Sequence, residues 1–197
     1  ISVGGLPDGI VDAGTLATDS VDSAELIDGS IDAAHLASGV GGITEADQWR
    51  LTTDFANDAT TIASNLERVD TSFEHIGTGM SESSGVFTFP STGKWWVHLN
   101  GAAYFGTEGN FAQYSIETST NASTTISLST GGAEAWISGN ATTTTYQAGH
   151  CSVIIDVTDV SYMRVRFRVE QNGDGGVTRG NTNRNETHFT FIKLGET

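Results

Sequence analysis

The chain has 197 residues, a formal net charge of -15 at pH 7, 24 Gly, 2 Pro and a single cysteine. Its length fits one sizeable domain with an appendage, and its composition favours short strands and turns. The acidity argues against nucleic acid as a partner, one cysteine excludes an intrachain disulfide, and the absence of a long apolar run predicts no membrane insertion.

The first 42 residues carry an aliphatic residue at every fifth position, inside a ten-residue unit that reads VDAGTL, VDSAEL and IDAAHL at 11–16, 21–26 and 31–36. A period of five fits neither a helix nor a strand. One aliphatic residue in five cannot form a core within one chain, but it can when several copies lie side by side. We therefore predict that residues 1–42 form an extended or short-helical stalk or anchor, in which Leu16, Leu26 and Leu36 meet the same residues of neighbouring copies.

A disordered acidic tail is the alternative for this segment, since it holds seven acidic residues and no Lys or Arg. The regular aliphatic positions argue against disorder, because a disordered segment does not require them.

Two glycines at positions 41 and 42 form a hinge, and residues 43–197 are predicted to be the second domain. The TEAD sequence at 44–47 resembles a capping box, which predicts a short helix there. Residues 49–55 have the alternation of a strand, whereas the pattern of residues 56–70 is ambiguous, with a short helix near 63–68 as one interpretation.

From position 73 onward, apolar-polar alternation and turn signals follow one another at short intervals. This spacing of short strands predicts a sandwich or a barrel. Strands are predicted at 85–90, 94–105, 111–118, 124–129, 133–138, 142–157, 162–170 and 187–194.

The predicted strand 94–105 carries aromatic residues on both faces. Trp95, Val97 and Leu99 share one face by alternation. The other face holds Trp96, His98 and Tyr104. We expect both faces to be buried, and a carbohydrate platform is the alternative for the second.

Three arginines alternate with three apolar residues in the predicted strand 162–170. Arg164, Arg166 and Arg168 line one face, and the apolar residues face the core. Three interpretations are open: a subunit contact with acidic residues of a neighbour, a solvated face, and a site for an anionic glycan.

The stretch GVFTFPSTGKW at 85–95 and the closing strand HFTFIKL at 188–194 resemble the tumour necrosis factor and complement globular-head superfamily. This resemblance implies an all-β jelly-roll sandwich that forms a compact homotrimer behind an N-terminal stalk. In such a trimer, Trp96, His98 and Tyr104 would belong to a subunit interface. Of the three interpretations of Arg164, Arg166 and Arg168, we adopt the subunit contact as the prediction, because three like charges in a row favour acidic groups opposite them.

The five-residue repeat and the run TEADQWRLTT at 44–53 look like structural proteins of tailed bacteriophages, especially marine ones. This second resemblance implies a virion component.

Candidate catalytic and metal-binding residues are few. His150 and Cys151 are adjacent, so on a strand they point to opposite faces and cannot act as a base-nucleophile pair. The loop NGDGG at 172–176 offers too few oxygen ligands for calcium. The triplets at Asn121, Asn140 and Asn185 match N-glycosylation acceptors, but a chain rich in Asn and Thr produces such triplets by chance. We predict no catalytic residues, no cofactor and no metal.

These observations lead to a non-enzymatic, homotrimeric virion protein whose exposed head binds the host surface, with other virion proteins and a host-surface glycan as partners. It would be found on the virion surface, or outside the cell. A capsid decoration protein anchored by its N-terminal segment and a subunit of an extracellular filament are the alternatives. A fibre with a glycosidase head is the enzyme alternative.

Overall fold

The computed structural model describes residues 42–56, 61–71, 73–106, 111–120, 123–127, 131–139, 144–171 and 176–197. The predictions for the repeat, including Leu16, Leu26 and Leu36, lie outside the described residues, as do Asn121, Asn140 and most of the 172–176 loop. Residues Ile43–Thr197 form one compact unit.

The described elements are all strands, and they form two antiparallel sheets. No helix occurs among these residues, hence none that could cross a membrane. The first sheet contains β1 (Ala46–Leu51), β2 (Thr53–Phe55), β3 (Leu66–Arg68), β4 (His75–Ile76), β7 (Gly93–Phe105), β11 (Thr145–Val157), β13 (Gly176–Asn181) and β14 (His188–Gly195). The second contains β5 (Ser81–Ser83), β6 (Val86–Thr88), β8 (Phe111–Thr120), β9 (Ser123–Ser127), β10 (Ala133–Ser138) and β12 (Arg164–Gln171).

Strand β7 is the centre of the first sheet. It pairs along its whole length with β11 on one edge. On its other edge, β14 pairs with the first part of β7 and β13 with the last part. Beyond these lie β1, which pairs with β14, β3 and β4, and β2, which pairs with β13. In the second sheet the order is β10-β8-β12-β6-β5, with β9 also paired to β8.

The core lies between the sheets and is rich in phenylalanine. Phe167 of β12 stacks on Phe189 of β14 with ring centroids 4.0 Å apart, so this contact joins the two sheets. Phe87 of β6 contacts Phe167 and Phe191 at 5.4 Å and 5.2 Å. Each of these rings is almost fully buried, and burying one such side chain contributes roughly 1.5–3 kcal/mol.

Both alternation patterns predicted from the sequence are confirmed. On β7, Trp95, Val97 and Leu99 are fully buried, whereas Trp96 and its neighbours on the other face are partly exposed. On β12, the three apolar residues face the core and the three arginines do not. The predicted all-β jelly-roll sandwich is the observed fold class.

The predicted helices at 44–47 and 63–68 are wrong. Residues 46–51 and 66–68 are strands β1 and β3. The acidic side chains of the apparent capping box bind the backbone of a loop: Glu45 accepts from Thr78, and buried Asp47 accepts from Met80 at 2.7 Å. Asp47 also accepts from Arg68 at 3.0 Å. A capping box and this arrangement both need acidic acceptors, so the local sequence does not separate them.

Tyr114 of β8 reaches across the core to β7, where Gly101 leaves room for its ring. The Tyr114 hydroxyl donates to the Ala102 carbonyl at 3.1 Å. A Cβ placed on Gly101 would lie 2.4 Å from a Tyr114 ring carbon. The missing side chain at position 101 therefore sets the distance between the two sheets at this point.

Replacing Gly101 with alanine should lower the free energy of unfolding by roughly 1–3 kcal/mol, because the new methyl group overpacks the core against Tyr114. Gly195→Ala is the matched control, since nothing lies within 4 Å of its Cβ position. Chemical denaturation measures both. Equal stability of the two variants would show that Gly101 is not needed to seat the ring.

Candidate functional site

The outward side of the first sheet is the main candidate, and we call it the open face. It is formed by the side chains of β7, β11 and β14 that point away from the core. Its residues are Trp96, His98 and Tyr104 on β7, Tyr146, His150 and Ile154 on β11, and His188, Thr190 and Ile192 on β14.

An apolar row crosses one end of the open face. Ile154, Trp96 and Ile192 are directly opposite one another on β11, β7 and β14. Ile154 is 61% exposed although it lies in the middle of a regular strand. The row continues into a groove of about 260 Å³ whose lining includes Ile43, Phe73, Ile76 and Ile192.

Two tyrosines mark the other end. Tyr104 and Tyr146 are opposite each other, with ring centroids 5.7 Å apart, and Tyr146 is 69% exposed. The guanidinium of Arg179 lies over the Tyr104 ring at 5.7 Å and donates to Glu186 at 3.2 Å. A cavity of about 500 Å³ opens here, lined by Ala102, Ala103, Tyr146, Gln147, Ala148, Arg179, Arg184 and Glu186.

Three histidines lie between the two ends. The His98 ring stacks on Trp96 at 5.1 Å and lies 6.1 Å from the His150 ring and 6.3 Å from the His188 ring. Burial lowers the pKa of His98 below 6.5, and the nearby His188 and His150 lower it further. Burial also lowers the pKa of His188, against two backbone hydrogen bonds that raise it. The rings of His98 and His188 are therefore neutral near pH 7.

Large exposed apolar side chains on a regular sheet face are informative because a monomer gains nothing from them. Contiguous apolar surface with a polar surround is typical of protein interaction sites. The open face has an apolar row at one end, two tyrosines at the other, and the neutral rings of His98 and His188 between them. It is chemically suited to being covered by another protein surface.

The arginine row lies on the outward side of the second sheet. Arg166 donates to Glu117, which stands directly opposite on β8, and Arg168 donates to Glu170 at 2.7 Å. Arg164 donates to the backbone carbonyls of Val160, Ser161 and Met163. The row thus has partners within its own chain, so its like charges do not require a neighbour's acidic residues. Its assignment to a subunit contact stays a prediction.

Cys151 lies on the core side of β11, while His150 lies on the open face. The thiol donates to the Tyr114 carbonyl at 3.8 Å, and burial raises the pKa of Cys151 to about 11. A neutral, buried thiol on the opposite side of the sheet from His150 is not an activated nucleophile.

Among the described residues, no group of three or more His, Cys, Asp or Glu side chains is arranged to hold a metal ion. Of the three glycosylation acceptor triplets, only the one at Asn185 lies within the described residues. The Asn185 side chain is exposed, and its amide donates to Gln48 at 2.7 Å.

Sequence reasoning found the β7 residues of the open face but not Tyr146 and Ile154. Both follow from alternation within 142–157 once the pairing of β11 with β7 is known, since Tyr146 lies opposite Tyr104 and Ile154 opposite Trp96. The missing information was the register between strands that are distant in sequence.

No protein-family model and no curated protein sequence matches the chain. Among solved structures, Eiger TNF from S. frugiperda is similar over 79% of this chain and 96% of its own, with 10% identity and a TM-score of 0.55. Murine APRIL at pH 5.0 is similar over 76% of this chain and 98% of its own, with 9% identity and a TM-score of 0.53. At these identities the likeness establishes a shared fold. PRD1 vertex protein P5 gives a TM-score of 0.44 at 15% identity, over 79% of this chain and all of its own, too low to establish a fold relation.

Acid should destabilise the folded chain through His98 and His188. Both histidines have a lower pKa in the folded chain than in the unfolded chain. As the pH falls below 6.5, the unfolded chain therefore binds more protons than the folded chain, and the free energy of unfolding decreases until the lowered pKa values are reached. Other titratable or charged side chains near the pair include His150 and, opposite His188, Arg50, which is held by Glu67. Melting temperatures between about pH 8 and about pH 5 should show this slope, and changing both histidines to glutamine should flatten it. An unchanged slope in the double variant would exclude these histidines as its source.

The Arg166–Glu117 pair should matter to stability because Glu117 is buried. Arg166→Met leaves that carboxylate without its cation and should cost about 1–3 kcal/mol. The double variant Arg166→Met with Glu117→Leu should recover most of the loss, since no unpaired charge remains. Chemical denaturation of the single and double variants measures the coupling energy between Arg166 and Glu117. If Arg166→Met lowers the free energy of unfolding by less than about 0.5 kcal/mol, the arginine row is a solvated face.

Proposed function

We propose that this chain is a non-enzymatic, homotrimeric surface protein of a virion, with an exposed jelly-roll head behind an N-terminal stalk. The open face is the subunit interface of the head. The observation that carries the proposal is the pair of exposed side chains Tyr146 and Ile154 on β11. They extend the face of β7 that carries Trp96 and Tyr104 into one continuous surface.

The number of copies rests on the resemblance to the tumour necrosis factor and complement globular-head superfamily, which implies trimers. Two solved structures described as a TNF and as APRIL share the fold. A threefold ring joins two unlike patches of neighbouring copies. The open face of one copy therefore meets a different surface of the next, and the arginine row stays a candidate for part of that second surface.

The virion assignment rests on the repeat and on residues 44–53, which look like phage structural proteins. Leu16, Leu26 and Leu36 are proposed to meet their counterparts along the threefold axis of the stalk. As a fibre, the protein would carry residues 1–42 as a free stalk. A decoration protein would instead bury them against a shell, and a filament subunit would insert them into the next copy.

The absence of enzymatic activity is part of the proposal and is supported by the site chemistry. Cys151 is buried with a raised pKa, and the histidines of the open face lie beside aromatic rings and one another. The buried thiol is not suited to nucleophilic work, and the histidines of the open face are suited to packing against a protein surface.

Ile154→Glu should break the trimer without unfolding the chain. The residue is 61% exposed, so its replacement costs the monomer little, whereas a carboxylate opposite Trp96 would have to be desolvated in the interface. Light scattering of the full chain should give about three times 20.7 kDa for the wild type and a lower mass for the variant.

The control is Tyr162→Glu, which places the same charge on another exposed apolar side chain, in the turn before β12. It should keep the trimer mass. A wild type that is monomeric at micromolar concentration, or an Ile154→Glu chain that stays trimeric, would contradict the proposed interface.

A further inference from the structure

A second exposed aromatic group lies on the opposite side of the sandwich, on the outward side of the second sheet. Trp136 of β10 is 56% exposed, and its ring lies 5.1 Å from that of Phe111 on β8, at an interplanar angle of 41°. We call Phe111 and Trp136 the aromatic platform. Neither side chain belongs to the buried core cluster, and an indole left in water on a regular strand calls for an explanation.

The alternation of β10 places the platform away from the core. Ala135 and Ile137 pack against the core from this strand, whereas Glu134 and Trp136 alternate with them and are exposed. The open face belongs to the first sheet, so the platform is a separate surface.

Planar hydrogen-bonding groups border the indole. Gln113 is directly opposite Trp136, and Glu170 of β12 is directly opposite Gln113 in the same row. The Gln113 amide donates to Glu134, and Arg168 donates to Glu170 at 2.7 Å. Gln113 is itself buried, whereas Glu134 is exposed and Glu170 is partly exposed. The aromatic surface therefore has two accessible carboxylates within one or two strand positions, one of them held in place by the buried amide.

The neighbouring row contains a polar group without a partner. Ser115 stands between Glu134 on β10 and Arg168 on β12, and its buried hydroxyl has no hydrogen-bond partner. Most buried polar groups in native proteins are satisfied. This one lies directly under the polar border of the platform.

We propose that the aromatic platform binds a pyranose ring of a neutral glycan. The C–H face of a pyranose is apolar and packs on an indole, while its hydroxyls donate hydrogen bonds, which suits the carboxylates of Glu134 and Glu170 at the edge. The inference rests on the proposed function, since it names the partner that the exposed head would bind.

Charge decides between neutral and anionic sugars. All nine Lys and Arg residues lie in the described part of the chain, and eight of them form ion pairs with carboxylates. The ninth, Arg164, is held by backbone carbonyls. No cation is left free for an acidic sugar, and the platform itself borders two carboxylates and one arginine. An anionic glycan would be repelled by this surface and by a net charge of -15.

The test uses the full chain and a panel of lactose, maltose and cellobiose, with sialyllactose as the anionic counterpart, in ligand-observed NMR titrations. At least one neutral disaccharide should bind the wild type, and sialyllactose should bind no better than lactose. Trp136→Ala should weaken the binding at least about tenfold, and Glu170→Gln should weaken it less, because stacking remains. Tyr162→Ala removes an exposed aromatic elsewhere and should leave binding unchanged.

Light scattering on the same samples gives their molar mass, which distinguishes a failure of this inference from a failure of the proposed trimer. Sugar binding by a monomeric wild type would overturn the trimer and leave the platform standing. A trimer that binds none of the neutral sugars, or a Trp136→Ala chain that binds as well as the wild type, would overturn the platform. Dissociation of the trimer by Trp136→Ala would also overturn it and identify Trp136 as a subunit contact.

Discussion

Strand β7 imposes the constraint on which the rest of the structure depends. It pairs with three strands, so it cannot move without disturbing the whole first sheet. Its core side is filled by Trp95, Val97 and Leu99, which are fully buried. Its other side carries Trp96 and Tyr104, and no strand of the second sheet packs on that side. Alternation produces this arrangement, and it leaves the second aromatic face of β7 outside the core of the single chain.

Charge is distributed so that the chain's cations are used internally. Arg68 holds buried Asp47, Arg166 holds buried Glu117, and Arg179 lies between Asp54 and Glu186. The remaining acidic excess keeps the surface negative, which favours solubility and disfavours anionic partners. Large apolar side chains are nevertheless exposed on the open face and on the aromatic platform. Protein packing and neutral sugar stacking are the interactions that such surfaces favour.

Much of the fold was predictable, because it depends on alternation that is local in sequence. The faces of β7 and β12 follow from the alternation in residues 94–105 and 162–170, whereas the jelly-roll class follows from the family resemblance of the GVFTFP stretch. The acidic pattern at 44–47 resembles a helix cap only because its partners, such as Met80, are more than thirty residues away. Tyr146, Ile154 and the Phe111–Trp136 pair required strand register, which no local pattern encodes. Alternation places the arginine row on the correct face, but it does not indicate the acidic partners in the same chain.

The covered state of the open face can be measured by hydroxyl-radical footprinting of the native full chain, with each side chain normalised to its rate in the unfolded chain. In a single chain, Tyr146 at 69% and Trp136 at 56% are similarly exposed. If the open face joins subunits, Tyr146 should be strongly protected while Trp136 is labelled at a rate close to that of an exposed side chain. Labelling of Tyr146 at the rate of an exposed side chain would contradict the account, because the open face would then be in water.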